Sequence, residues 1–370
     1  MSILTFAGLT AMANHEQYMH RCLQLASLGE GFVAPNPMVG SVLVYRNRII
    51  GEGWHRLYGG AHAEVNCLES VADADKPLIP ESTIYVSLEP CAHFGKTPPC
   101  ANRIVAEGIK KAVVGAIDPF AEVAGRGVSI LEQAGVETVV GVLEKECRYQ
   151  NRRFFTFHNC QRPYIHLKWA KTADGFISGR GGQRLQITGP LANRLVHKWR
   201  SEEAAIMVGT KTAETDNPQL NNRYWPGRQP VRVVVDAGLR LPGYLKLFTD
   251  GGDTMVLYED EGGMGLAGRR PNHFSENGPV NLVGVKGLLG HNPAVICRAL
   301  YSLNIQSVFI EGGAALLNSF LRAGLWDEAH ILTGTKVMSG GGVKAPVSPN
   351  GAMKEKFYLE SDLIEGVINK

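Results

Sequence analysis

The stretch that decides the fold of the first half is TIYVSLEPCAHFGKTPPC, residues 83–100. Its first six residues, 83–88, are rich in β-branched and aromatic side chains and predict a strand. Residues 100–108, CANRIVAEG, predict a helix that ends at a glycine. Cys91 therefore follows a predicted strand, and Cys100 begins the next predicted helix.

Two further residues with metal chemistry, His62 and Glu64, lie in the segment GAHAE and open a predicted helix over 62–71. The imidazole of His62 and the thiolates of Cys91 and Cys100 are good zinc ligands, and three protein ligands leave the fourth tetrahedral position for water. Zinc lowers the pKa of that water toward 7, so hydroxide becomes available at neutral pH. In a first helical turn Glu64 leans toward the same end as His62, and we expect it to move protons without binding the metal. Two cysteines nine residues apart are also compatible with a structural zinc, or with small buried hydrophobic residues.

Outward from this stretch, predicted strands alternate with helices of about ten residues, which indicates an α/β fold with mostly parallel sheets. In the first half we predict helices over 15–28, 62–71, 100–108 and 125–135, and strands over 41–45, 48–50, 83–88, 111–117 and 137–142. In the second half we predict helices over 189–200, 291–303 and 313–324, and strands over 163–170, 204–209, 231–236, 253–258 and 307–312. A basic, aromatic run at 146–163 is interpreted as a terminal helix and connector, with a domain boundary near residue 160. The Gly-rich residues 259–290 predict no element.

Composition narrows the class of protein. The 370 residues are 44% hydrophobic and 20% charged, as in ordinary globular proteins of about two domains. The net charge of +3 is too weak to indicate nucleic acid or an anionic membrane as a partner. Seven cysteines are an odd number, which disfavours a disulfide framework and favours a reducing compartment. The apolar start has no Lys or Arg before it, so we interpret it as a ragged terminus before a start near Met12 rather than a secretory signal. No apolar run approaches the length of a membrane span.

The metal-ligand pattern resembles that of the zinc nucleoside and base deaminases, His-x-Glu followed by Pro-Cys-x-x-Cys. Here eight residues separate Cys91 from Cys100, where that signature has two. With APNPMVG and GEGWHRLYGGAHAE upstream, the segment EPCAHFGKTPPC is similar to the pattern EPCxHxGxTPPC of the deaminase half of the bifunctional riboflavin-biosynthesis enzymes. The resemblance covers about the first 145 residues.

This resemblance implies a cytidine-deaminase-like three-layer domain over 12–158, with Glu64 as the catalytic residue. It implies as substrate a diaminopyrimidinone that carries a ribosylamino 5′-phosphate. Asn36 would bond the pyrimidine edge, and the other contacts would come from His55, His93 and Lys96. From spacing alone, His55 is as well explained as a solvated histidine of a hairpin.

A second candidate site lies in SVFIEGGAAL, residues 307–316, which runs from a predicted strand through two glycines into a helix. Glycine lets the backbone approach a phosphate, and the helix start offers free amide donors. The pattern is weak by itself, and it is not the Gly-x-Gly-x-x-Gly of an ordinary dinucleotide fold.

Four other segments, KWAKTADG, ITG, GTKT and TDNPQL, resemble the reductase half of the same bifunctional family, and the likeness covers about 163–340. It implies a dihydrofolate-reductase-like domain over 163–370 that uses NADPH to reduce a ribosyl group to ribityl. The cofactor-binding residues it implies are Ala170, Thr212, Asp216, Gly313, Ala314, Ala315 and Leu316. The substrate-binding residues it implies are Lys168, Arg184, Arg200, Leu220, Arg223 and Glu311.

Several of these residues have simpler interpretations. Arg200 and Arg223 suit a phosphate clamp because guanidinium binds phosphate through two donors, but they are also explained as solvated arginines. Lys168 is also explained as a lysine extending from a strand edge. The chain departs from the family at Ala173, Gln186 and Ala237, which bears on contacts in the reductase pocket.

The sequence therefore predicts a cytoplasmic bifunctional enzyme, with zinc hydroxide deaminating the pyrimidine before NADPH reduces its sugar. We expect a small phosphorylated pyrimidine as its partner, no nucleic acid or membrane, and a homo-oligomer. Two alternatives stay open: a zinc base or nucleotide deaminase with a C-terminal domain that is not a reductase, and a structural-zinc module that binds a pyrimidine without turning it over.

Overall fold

The computed structural model describes residues 6–92, 98–120, 124–260 and 280–369, with side chains from His15 onward. The chain divides into two compact units, Met1–Cys160 and Gln161–Lys370. Among the described residues, none of the helices has the length and apolarity needed to span a bilayer.

The first unit is a five-stranded sheet with helices on both faces. Its strands are β1 Gly40–Tyr45, β2 Arg48–Trp54, β3 Thr83–Leu88, β4 Lys111–Ala116 and β5 Glu137–Val140, in the order β2-β1-β3-β4-β5. Its helices are α1 Phe6–Ser27, α2 Ala63–Glu69, α3 Cys100–Ala106, α4 Arg126–Gln133, α5 Glu144–Gln150 and α6 Arg152–Cys160. Strands β3, β4 and β5 are parallel, so their carboxyl ends meet at one edge of the sheet.

Alternating side chains of each strand form two cores, one on each face of this sheet. In β3, Ile84 packs with Leu68 of α2 and Ile104 of α3, whereas Tyr85 packs with Met19 of α1 on the other face. Ile84, Ile104 and Met19 are completely buried, and Leu68 and Tyr85 are each 4% exposed. The period of two along β3 therefore produces the three layers.

The first unit differs from its predicted elements in three places. The sheet is mixed, because β1 runs antiparallel to both β2 and β3. The helix predicted from His15 begins at Phe6. The predicted terminal helix is two helices that meet at Asn151. The Asn151 side chain accepts from the backbone N–H of Met38 and donates to its carbonyl, each at 2.8 Å.

The second unit has a nine-stranded sheet in the order β11-β10-β9-β8-β12-β6-β13-β16-β15, together with the pair β7 and β14. Its strands are β6 Tyr164–Lys171, β7 Phe176–Ser178, β8 Ala205–Gly209, β9 Val231–Val235, β10 Thr254–Glu259, β11 Val280–Val285, β12 Ser307–Gly312, β13 Glu328–Thr333, β14 Val343–Lys344, β15 Ala352–Leu359 and β16 Asp362–Ile368. Its helices are α7 Pro190–Glu202, α8 Thr210–Asp216, α9 Lys246–Thr249, α10 Pro293–Ser302 and α11 Ala314–Ala323. The sheet is parallel except at β16, which is antiparallel to both of its neighbours.

Helices cover both faces of this sheet as well. One core joins the sheet to α10 and α11 through residues such as Leu300 and Phe320, and the other joins it to α7 through Val196 and Trp199. Strand β8 contributes Met207 to the first core and Ile206 to the second, so its buried run serves both faces. A continuous apolar strand of this kind is expected where both faces are covered.

The elements after residue 324 were not predicted from the sequence, and three of them, β13, β15 and β16, complete the nine-stranded sheet. Strand β15 has exposed and half-buried residues in alternation, which is a weak hydrophobic signal. Also not predicted were β7, α8, α9 and, within the Gly-rich segment 259–290, β11. Each of these four has seven residues or fewer, so it carries little periodic signal.

Candidate functional site

The first candidate site lies at the carboxyl end of β3, where three ligating side chains converge. The Nδ1 atom of His62 lies 3.5 Å from the Cys91 sulfur and 3.4 Å from the Cys100 sulfur. His62 is the N-cap of α2, and Cys100 is the first residue of α3. The backbone N–H of Cys100 donates to the Cys91 sulfur at 3.3 Å. Two helix starts and one strand end therefore bring together residues that are 38 positions apart in the chain.

These three residues fit zinc. With the bond lengths usual for zinc, an imidazole nitrogen and a thiolate sulfur on one tetrahedral ion lie about 3.5 Å apart, as they do here. A hydrogen bond from the Cys100 thiol lowers the pKa of Cys91, and the same contact raises the pKa of Cys100. Cys91 is thus the sulfur that more readily becomes a thiolate, and Cys100 loses its proton when a cation binds.

Glu64 is buried beside these ligands, with 3% of its surface exposed. Burial raises the pKa of its carboxyl to about 7, and the negative charge of Cys91 adds to this. A carboxyl that titrates near neutral pH can both accept and return a proton. Its position one residue into α2 places it at the same helix end as His62.

Asn36 and His55 form a hydrogen-bonded pair next to His62. The Nδ1 atom of His55 lies 3.0 Å from the carbonyl oxygen of Ala61, and its Nε2 lies 3.1 Å from the Asn36 amide nitrogen. The carbonyl only accepts, so Nδ1–H donates and Nε2 accepts from Asn36. Burial lowers the pKa of His55, in keeping with this neutral form. The His55 and His62 rings meet edge to face at 5.5 Å.

His93 and Lys96 lie outside the described residues. Asn151 is a supporting residue that the sequence analysis missed, because its contact with Met38 spans 113 positions and leaves no local pattern. Through this contact α5 and α6 hold the segment that carries Asn36.

In the second unit the structure brings Lys168, Arg200 and Glu311 together. The Arg200 guanidinium donates to both oxygens of Glu311 at 2.5 and 2.6 Å, and to the carbonyl of Asn221 at 2.8 Å. Burial opposes the charge of Glu311, but Arg200 and Lys168 lower the pKa of its carboxyl to about 2. Burial lowers the pKa of Lys168, while Glu311 opposes this. The group is therefore a compact set of charges at the end of β12 and beside α7.

His197 joins this group and was not recognised in the sequence. Its Nδ1 accepts from the backbone N–H of Arg223 at 3.1 Å, and burial together with the charges of Arg200 and Arg223 lowers its pKa to about 4. The exposed Arg223 side chain lies over the ring of Tyr224 at 4.8 Å. A histidine on the buried side of an amphipathic helix gives no sequence signal that separates it from a core residue.

Five of the predicted cofactor residues lie where β12 passes into α11: Thr212, Gly313, Ala314, Ala315 and Leu316. Gly313, with φ of +80°, is the N-cap of α11, and it supplies no side-chain hydrogen bond to the helix start. A Cβ atom at Gly313 would lie 3.1 Å from the Thr212 hydroxyl. The first amides of the helix, from Ala314 onward, have no intrahelical acceptor. Open amides beside a glycine turn fit a nucleotide phosphate, and so they fit NADPH.

The other predicted residues of this unit have mixed surroundings. Ala170 and Asp216 are half-buried, Leu220 is 2% exposed, and Arg184 is exposed. Burial raises the pKa of Asp216, and the charge of Arg184 opposes this. Arg184 and Asp216 are thus close enough to interact, although the resemblance assigns them to different ligands.

A second group of ligating side chains occurs in this unit, formed by His166, Glu328 and His330. All three residues are buried, and the two imidazoles contact each other directly at 2.7 Å.

Family models match both halves of the chain. The family described as the cytidine and deoxycytidylate deaminase zinc-binding region matches residues 12–116, and the RibD C-terminal domain matches residues 163–363. The chain is 38% identical over 328 residues to the riboflavin biosynthesis protein RibD of Aquifex aeolicus, covering 88% of each chain. It is 32% identical to the protein of that name from Escherichia coli, covering 87% of this chain and 88% of the other.

Solved structures give the same result. The crystal structure of a diaminohydroxyphosphoribosylaminopyrimidine deaminase/5-amino-6-(5-phosphoribosylamino)uracil reductase from Thermotoga maritima matches with a TM-score of 0.83 and 34% identity, covering 97% of this chain and all of that one. RibD of Acinetobacter baumannii, form 1, matches with a TM-score of 0.86 and 30% identity, covering 97% of this chain and 99% of the other.

The predicted fold classes are therefore confirmed: the N-terminal domain is cytidine-deaminase-like, and the C-terminal domain has the dihydrofolate-reductase-like fold of the RibD reductases. The match over 163–363 excludes the alternative in which the second half is not a reductase. Zinc and NADPH are the cofactors of these two domains. The chain belongs to the RibD family of bifunctional deaminase/reductases of riboflavin biosynthesis.

Proposed function

We propose that residues 12–158 form the deaminase domain, with His62, Cys91 and Cys100 as zinc ligands and Glu64 as the catalytic residue. The observation that carries this proposal is the convergence of one nitrogen and two sulfurs at 3.4–3.5 Å beside a buried carboxyl. Zinc, when bound there, lowers the pKa of water toward 7 and so supplies a nucleophile at neutral pH. Glu64 takes a proton from the attacking water and delivers it to the leaving amino nitrogen, which departs as ammonia.

The substrate of this domain is 2,5-diamino-6-(ribosylamino)pyrimidin-4-one 5′-phosphate. The contact between Asn36 and His55 supports this choice, because it fixes the direction of the Asn36 amide. The amide nitrogen donates to His55, so the amide oxygen is left to accept from an amino group of the pyrimidine. His55 orients Asn36, and the contacts from the connection between the two cysteines come from His93 and Lys96.

Residues 163–370 form the reductase domain, which converts the ribosyl side chain to ribityl after deamination. NADPH, when bound, supplies the reducing equivalents, and the chain holds its phosphates at the start of α11. The residues that hold the cofactor are Ala170, Thr212, Asp216, Gly313, Ala314, Ala315 and Leu316. The residues that hold the substrate are Lys168, Arg184, Arg200, Leu220, Arg223 and Glu311.

Within this set, Arg200 and Arg223 have different tasks. The Arg200 guanidinium is largely used by Glu311 and Asn221, which supports a role in orienting the Glu311 carboxylate toward the sugar hydroxyls. Arg223 is exposed, and it is the better candidate for direct contact with the substrate phosphate. Lys168, beside Glu311, is the donor nearest to the opened sugar in this proposal.

The working enzyme in this proposal is a cytoplasmic homo-oligomer that acts on a small molecule and binds no nucleic acid or membrane. All seven cysteines are free, which supports a reducing compartment. The near-neutral charge, +3 over 370 residues, supports the absence of a nucleic-acid partner.

The test is Glu64→Gln, which keeps the size of the side chain but removes its proton-carrying group. We expect ammonia release to fall at least about a hundredfold, while zinc remains at one ion per chain. Ammonia release is measured in a single-turnover assay, and zinc is measured on the same sample.

NADPH consumption with the deaminated substrate is the internal control and should match the wild type. Ammonia release at the wild-type rate would show that Glu64 does not carry the proton. Zinc that is retained in a wild-type enzyme releasing no ammonia would instead favour a structural-zinc module.

A further inference from the structure

Glu89 is a buried carboxylate that the deamination steps above do not use. It is 4% exposed and lies two residues before Cys91. It accepts hydrogen bonds from four backbone amides: Asp118 at 3.2 Å, Gly125 at 3.0 Å, Gly127 at 2.8 Å and Val128 at 3.2 Å. Four amides on one side chain satisfy both carboxylate oxygens, with two donors on each.

The donors belong to the start of α4 and to the segment that follows β4. Gly125 is the N-cap of α4, so the positive end of this helix faces the carboxylate. The backbone N–H of Glu89 also donates to the carbonyl of Ala116 at 2.9 Å, at the end of β4. Glu89 therefore joins the end of β3 to the next parallel strand and to the helix that follows it.

The same helix start packs directly against the peptide that leads to Cys91. A Cβ atom at residue 127 would lie 1.9 Å from the carbonyl oxygen of Pro90, so only glycine permits this approach. On its other side Cys91 is held by α3, since its carbonyl accepts from Ala101 at 3.3 Å. Cys91 is thus fixed between α3 and the Glu89–α4 contact.

We propose that Glu89 is a positioning residue for the zinc centre, which acts by holding the Pro90–Cys91 peptide so that the Cys91 sulfur faces His62 and Cys100. The proposal rests on the zinc ligands of the proposed function. A ligand whose backbone can shift loses the geometry that tetrahedral zinc requires, and it releases the ion more easily. Glu89 itself touches neither the metal ligands' donor atoms nor the reacting water in this role.

The test is Glu89→Gln, which keeps the shape but places an amide NH₂ against two of the four backbone donors. The matched control is Glu132→Gln, the same substitution at an exposed position on α4. Each protein is loaded with zinc or with cobalt(II). The readouts are the rate of zinc loss to a chelator, the visible absorption of the cobalt form, and kcat and KM for ammonia release.

For Glu89→Gln we expect zinc loss at least tenfold faster than in the wild type, together with a changed cobalt spectrum. We expect kcat for ammonia release to fall at least tenfold, with a smaller change in KM. NADPH oxidation with the deaminated substrate should be unchanged. Glu132→Gln should match the wild type in every readout. A Glu89→Gln protein with the wild-type spectrum and the wild-type rate of zinc loss would overturn the proposal.

Glu89→Asp is a second, milder variant for the case in which Glu89→Gln does not fold. It keeps the carboxylate but is one methylene shorter, so its hydrogen bonds to the amides are weakened. It should fall between wild type and Glu89→Gln in zinc loss and in kcat, and wild-type values for both would overturn the proposal. If the wild-type protein itself shows no thiolate-to-cobalt absorption, the ligand set of the proposed function is wrong, which is a separate result.

Discussion

Two groups of three ligating side chains occur among the described residues, and they differ in whether their lone pairs are already used. In the first unit, His62, Cys91 and Cys100 face one another at a helix start. In the second unit, His166, Glu328 and His330 are as close together and more deeply buried. Residue type and distance alone would make both of them metal sites.

Hydrogen bonds separate the two groups. In the second unit a continuous chain runs from Glu203 to His166, His330 and Glu355, with contacts of 3.1, 2.7 and 2.8 Å. Glu328 accepts from the Tyr164 hydroxyl at 2.8 Å and from the Lys354 ammonium at 2.6 Å. Trp199 stacks on the His330 ring at 4.1 Å.

In the first unit the nitrogen and the two sulfurs contact one another, and the Cys91 sulfur also accepts from the backbone N–H of Cys100. A cation there replaces the protons between these three atoms, whereas a cation in the second group must displace a lysine and break the contact between two imidazoles. A metal centre is therefore recognised by ligand atoms whose lone pairs are not already used in strong hydrogen bonds or ion pairs.

The largest expected effect concerns zinc content. Cys100→Ser should reduce bound zinc to less than about a tenth of the wild-type amount and abolish ammonia release, because it removes one of three protein ligands. His330→Gln should keep one zinc per chain. Metal analysis of both purified variants checks this, and a loss of zinc in His330→Gln would break the comparison.

A smaller effect is expected on stability. His330→Ala should lower the free energy of unfolding of the reductase unit by about 2–3 kcal/mol, because it removes the partner of the His166 Nε2 atom and of the Glu355 carboxylate. In the zinc-free protein, His62→Ala should lower the free energy of unfolding of the deaminase unit by less than about 1 kcal/mol, since the partners of His62 there are sulfur atoms, which form weak hydrogen bonds. Urea unfolding of each variant, followed by fluorescence of Trp199 or of Trp54, measures both values. Equal losses of unfolding free energy in His330→Ala and His62→Ala would contradict the proposed difference between the two groups of ligating side chains.

The smallest effect is on pH dependence. Burial lowers the pKa of His330 below its ordinary 6.5. Just below pH 6.5 the unfolded chain therefore binds a proton at this histidine that the folded chain does not bind. The reductase unit should therefore lose stability as the pH falls below about 6.5, the pKa of the unfolded histidine. The hydrogen bond with Cys91 raises the pKa of His62, so in the zinc-free protein its contribution has the opposite sign and is lost as the pH rises.

Urea midpoints at pH 7.5, 6.5 and 5.5 measure this slope, and His330→Gln is the control that should make it less steep, while the lowered pKa of His197 maintains the remainder. A midpoint in the wild-type reductase unit that stays constant or rises on acidification would exclude the assigned shift.

The zinc ligands could be predicted from the sequence because their spacing is tied to local structure: His62 and Cys100 each lie at the start of a helix, and Cys91 follows a strand by three residues. The Arg200–Glu311 pair could not be derived from spacing, since 111 residues separate its members, and only the family resemblance indicated both. Glu89 was visible beside Cys91, but its four amide donors lie 29 to 39 positions away, where no motif reveals them.

The sequence by itself determined the two α/β halves, the chemistry of the metal ligands and the family, because periodicity, residue type and short spacings are local properties. Only the tertiary structure decided which lone pairs are already taken, how Asn36 is turned, and that polar strands such as β15 complete the second sheet. These features depend on contacts between residues far apart in the chain, and their energies arise only when packing excludes water from those contacts.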